Sequence, residues 1–138
     1  MPFKVALPEN GKRNARIVVT GVIECNLGPH EVISLDTLDC EKAKIESAVW
    51  IIQEKLGIVL WWGVGEPPTG VTPEAPDITE KNLVFVMESR NGIRFDHGLD
   101  SPRSIEKWDR KLWLQTFGFT SNAESPKYFT FTLDFDKQ

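Results

Sequence analysis

One apolar stretch constrains the fold more than any other. Residues 45–62 read Ile-Glu-Ser-Ala-Val-Trp-Ile-Ile-Gln-Glu-Lys-Leu-Gly-Ile-Val-Leu-Trp-Trp and carry three of the five tryptophans. Two conformations fit this pattern. In a helix, Ile45, Ala48, Val49, Ile52 and Leu56 would share one face, with Asp39 as a candidate N-cap and Gly57 as a candidate C-terminal residue. The block Val49-Trp50-Ile51-Ile52 opposes this reading, because four consecutive bulky residues cannot share one helical stripe and three of them are β-branched. In a β-hairpin, a strand over about 44–53 turns through 54–57 and returns over 58–62. Periodicity alone does not decide between the two.

The flanking sequence is strand-rich. Residues 1–15 contain Pro2, Pro8 and Glu9-Asn10-Gly11 and read as an irregular, locally basic N-terminal arm. Over 16–24, Ile17, Val19 and Ile23 alternate with Val18, Thr20 and Val22, as a pleated strand requires. A turn at 26–29 leads to a second expected strand over 31–38. Residues 83–88 form a short apolar run. Asn91-Gly92 suits a tight hairpin turn into a strand from Ile93 to about Phe95. Leu112 and Leu114 alternate with Trp113, Gln115 and Phe117. The clearest alternation comes last: Phe129, Phe131, Leu133 and Phe135 face one way, and Tyr128, Thr130, Thr132, Asp134 and Asp136 the other.

Seven or eight short strands with frequent turns predict an all-β fold, an antiparallel β-sandwich or jelly roll, as one domain over 1–138. The expected core contains Ile17, Val19, Leu60, Phe85, Leu112, Leu114, Phe129, Phe131 and Leu133. Residues 63–80, with Pro67, Pro68, Pro73 and Pro76, form a long Pro/Gly-rich loop, because proline cannot continue a helix or a central strand. That loop reads either as a surface loop or as an extended arm lying on a neighbouring subunit.

Composition narrows the function classes. The net charge is −4, without the basic excess that nucleic-acid binding usually brings. No apolar run approaches the roughly 18 residues of a membrane span, and no signal peptide is expected. Cys25 and Cys40 allow one bridge, but two free thiols are the simpler reading, and with His30 and His97 they match no common zinc spacing. Asp96, His97, Asp100 and Ser101 cluster in one polar stretch, but such a cluster is also ordinary loop composition. No catalytic, metal or cofactor site is expected, and the chain reads as non-enzymatic. Adjacent Trp61 and Trp62 must point to opposite faces if extended, so one of them leaves the main core. Trp61, Trp62, Pro67, Pro68 and Trp108 are the candidate interface residues.

With the strands laid out, Lys111-Leu-Trp-Leu-Gln-Thr-Phe-Gly-Phe119, a short polar gap, and Tyr128-Phe-Thr-Phe-Thr-Leu-Asp-Phe-Asp-Lys137 resemble the end of small tailed-bacteriophage virion proteins. Their pattern is a strand ending in Thr-x-Gly-Phe, a turn, and a final alternating strand closed by lysine. Val18-Val19-Thr20-Gly21 resembles their opening strand, and the pair 45–53 and 58–62 their central hairpin, which tips the choice for 45–62 toward strands. The chain departs from the pattern in the proline-rich loop and at 99–110. The resemblance implies a non-enzymatic virion component of the capsid-decorating (cement) type, made in the host cytoplasm. Its implied partners are the major capsid protein or other virion proteins, and it implies a homo-oligomer. It carries no functional residue. A head–tail connector or tail component is the alternative within the virion, and a carbohydrate-binding sandwich module the alternative outside it.

Overall fold

The computed structural model describes residues 2–63, 84–87, 92–95, 111–119 and 125–137, with the side chains at 84, 85 and 92–95 left outside that description. Its strands are β1 (Phe3–Asn10), β2 (Asn14–Ile23), β3 (His30–Ser34), β4 (Ala43–Ile52), β5 (Gly57–Trp62), β6 (Val84–Met87), β7 (Gly92–Phe95), β8 (Lys111–Phe117) and β9 (Lys127–Lys137). One helical turn, α1 (Leu35–Leu38), follows β3.

The strands form two packed antiparallel sheets, a β-sandwich. One sheet has the order β1-β2-β9-β4-β7 and the other β3-β8-β5-β6. Eight strands from β2 onward pair in a nested way, β2 with β9, β3 with β8, β4 with β7 and β5 with β6. Successive pairs alternate between the sheets, which is the jelly-roll arrangement. β1 lies outside that nest and extends the first sheet to five strands.

The inward side chains of both sheets merge into one core. Ile17, Val19, Phe129, Phe131, Leu133 and Phe135 from one sheet meet Leu60, Trp62, Leu112 and Leu114 from the other, all buried. The expected core is therefore present at every position whose side chain is described. Each fully buried side chain of this size contributes about 1.5–3 kcal/mol relative to exposure, so this merged core is what holds the two layers together.

Residues 45–52 are strand, not helix, but the expected hairpin is corrected: β4 and β5 are neighbours in sequence and lie in different sheets. The chain crosses the sandwich at 53–56. Leu56 N–H donates to the Gln53 carbonyl at 3.1 Å, and Lys55 takes a φ of 68°, as the third residue of a turn closed in this way often does. The same correction applies downstream. β6 pairs with β5 and β7 pairs with β4, so the two strands lie in different sheets and do not form the hairpin expected from Asn91-Gly92. Two further expectations change. Residues 3–10 form β1 instead of an irregular arm, because Phe3 packs into the core against Phe129, ring centroids 6.5 Å apart. The second expected strand stops at Ser34. The Ser34 hydroxyl accepts from Thr37 N–H at 3.1 Å and caps α1, and Asp39 ends the turn in the left-handed region. The Pro/Gly-rich loop at 63–80 lies outside the described residues after Gly63.

The Thr116-Phe117-Gly118-Phe119 motif ties the end of β8 to the β2–β3 connection and to the start of β9. Thr116 Oγ1 accepts from Leu27 N–H at 2.7 Å, and Thr116 N–H donates to the Leu27 carbonyl at 3.1 Å. Asn26 and Phe119 exchange two hydrogen bonds, 3.1 and 3.0 Å long. Lys127 Nζ lies 4.9 Å from the centre of the Phe119 ring. Residues 116–119 thus fix architecture at this end of the sandwich.

Candidate interaction surface

The five-stranded sheet presents an outer face built from β2, β9 and β4, and register sets its composition. In β2 the even-numbered residues from Arg16 to Val22 point outward, because Ile17, Val19 and Ile23 are buried. In β9 the polar set that starts at Tyr128 points outward, opposite the buried phenylalanines and Leu133. β4 reaches the same phasing through a bulge between Ile45 and Ser47, which leaves Glu46 out of the ladder. After the bulge, Ala48 and Ile52 are buried while Val49 and Ile51 face out.

Four rows of paired residues follow. Val22 lies opposite Tyr128; Thr20, Thr130 and Ile51 form the next row; Val18, Thr132 and Val49 the third; Arg16, Asp134 and Ser47 the last. Lys4 and Ala6 of β1 extend the middle rows. Apart from Lys4 and Ala6, the described residues of the first three rows are all valine, isoleucine, threonine or tyrosine. The four large hydrophobic residues that stand exposed among the described residues are all here: Val22 at 65%, Tyr128 at 51%, Ile51 at 45% and Val49 at 41%. Scattered single apolar residues on a surface are ordinary, whereas their clustering on one sheet face makes that face the candidate interaction surface. At the corner where β1, β2 and β9 meet, an open depression of about 490 Å³ adjoins it, lined by Lys4, Thr20, Val22, Tyr128 and Thr130 among others.

The far end of the face is polar and charged, with Glu9 of β1 and Asp134 of β9 opposite Arg16 on either side. Arg16 Nε donates to Asp134 Oδ1 at 2.7 Å, and Ser47 Oγ donates to Asp134 Oδ2 at 2.8 Å. Partial burial alone would raise the Asp134 pKa. The hydrogen bonds from Arg16 and Ser47, with the Arg16 charge, outweigh it and hold the carboxyl below the ordinary carboxylate range. Asp134 is therefore ionised at neutral pH and already partnered.

The outer face of the other sheet differs. Val59 and Trp61 are buried there in a second cluster with Val86, Trp113 and Phe117, and Trp113 Nε1 donates to the Gly63 carbonyl at 2.6 Å. Trp61 and Trp62 do point to opposite faces, as expected, with Trp62 in the main core. Both indoles are buried, at 1% and 3% exposure, so neither offers an open surface in this structure. Pro67, Pro68 and Trp108 lie outside the described residues, as do Asp96, His97, Asp100 and Ser101. Cys25 is exposed and Cys40 partly buried, and the two form no disulfide with each other. Among the described residues no group of three or more His, Cys, Asp or Glu side chains is placed to hold a metal ion, and no helix is long and apolar enough to cross a membrane.

Val22, Val49, Ile51 and Tyr128 were not among the sequence candidates. The signal for two of them is present: alternation puts Val22 on the face opposite Ile17 and Val19, and Tyr128 on the face opposite the phenylalanines. Alternation separates inside from outside but does not say whether an outside residue meets water or a partner. No protein-family model and no curated protein matches this chain.

Proposed function

We propose that this protein is a non-enzymatic structural component of a tailed-bacteriophage virion. It decorates the capsid and stabilises it by docking the outer face of the β2–β9–β4 sheet onto major capsid protein subunits. The observation that carries this reading is the gathering of Val22, Val49, Ile51 and Tyr128 on one face of a sheet whose opposite side is locked into the core. Such a face presents apolar area on backbone that is already ordered, so little conformational entropy remains to be lost on binding. The resemblance at 111–119 and 128–137 supplies the partner class. Four exposed hydrophobic residues make a small patch for a stable one-to-one complex, where roughly 800 Å² per partner is usual. Many weak contacts on a repeating particle, or oligomerisation of the decorating protein, offset that through effective concentration.

The test uses particles assembled without this protein. Added back, it should co-sediment with them at saturable stoichiometry and raise their resistance to heat and osmotic shock. Particles that neither bind it nor gain resistance would overturn the proposal. Ring-shaped oligomers in solution without capsid binding would move the same face to a connector role.

A further inference from the structure

We draw no further inference here: the strongest candidate, the open depression of about 490 Å³ at the corner of β1, β2 and β9 beside Val22 and Tyr128, belongs to the surface already described, and nothing in the structure shows what fills it.

Discussion

Gly118 packs against the carbonyl group of Lys55 so closely that a Cβ built on it would stand 1.8 Å from the Lys55 oxygen. That contact holds the end of β8 onto the crossing between β4 and β5, within the apolar stretch that decides the fold. Gly118 also has a φ of 121°, which side chains rarely adopt. Both features require glycine, and the obstructing atoms are backbone, which cannot step aside as a flexible side chain can.

Gly118→Ala should therefore destabilise the protein by about 3 kcal/mol or more, since steric overlap adds to backbone strain. Gly28→Ala is the control. Nothing lies within 4 Å of a Cβ there, and the change should stay within about 0.5 kcal/mol. Urea unfolding of the three proteins measures the difference directly.

Gly21 serves a different purpose. It sits in a row between Phe3 and Phe129, and a Cβ on it would come within 2.9 Å of each. The missing side chain is what lets the two rings approach over β2. Gly21→Ala should cost about 1–3 kcal/mol, as overpacking does. Shortening the neighbour by Phe129→Leu should make the double variant less destabilised than the sum of the two single changes, because the sites share the same space. Strict additivity in a thermal-unfolding cycle would show that the rings already have room to move.

The Arg16–Asp134–Ser47 row sets a pH dependence. The folded pKa of Asp134 is lowered, so its contribution is fully present above the unfolded value near 3.9 and is lost as pH falls through the folded value. The contribution is small, because the pair is partly solvent-exposed. Asp134→Asn should lower the melting temperature slightly at pH 6, and the gap should narrow as the pH falls through the lowered folded value, where the carboxyl takes up its proton. A gap that does not change with pH would assign the effect to packing instead.

How far the fold was legible depends on what each element asks of its neighbours. β2, β8 and β9 are half-buried along their whole length, so alternation reports them. Lys111, Trp113, Gln115 and Phe117 stay partly exposed while Leu112, Leu114 and Thr116 are buried. The helix alternative for 45–56 fails on the block Val49-Trp50-Ile51-Ile52, which alternates Val49 and Ile51 outward with Ile52 inward. Sheet partnership was not legible. A turn signal such as Asn91-Gly92 says only that a bend is expected, not which strand comes to pair with which. Whether the next strand pairs with the previous one or crosses to the facing sheet depends on long-range burial, and here β5 finds β8 and β6. β1 was hidden for a related reason: Pro2, Pro8 and the break in register between Ala6 and Glu9 suit an edge strand but read locally as irregular chain. The candidate surface was half legible. Its residues could be placed outside, but the bulge at Glu46 that aligns Val49 and Ile51 with Val18 and Thr20 leaves no local signature.

The most direct measurement compares capsid binding by the wild type and by a variant carrying Val22→Lys and Ile51→Lys. Val22 and Ile51 are exposed, so each change should alter stability by no more than about 0.5 kcal/mol, verified by thermal melting. If the β2–β9–β4 face docks on the capsid, the folded variant should lose at least tenfold in affinity for particles assembled without this protein, because two lysines would be desolvated in an apolar contact. Binding of the folded variant with wild-type affinity would contradict the proposed face.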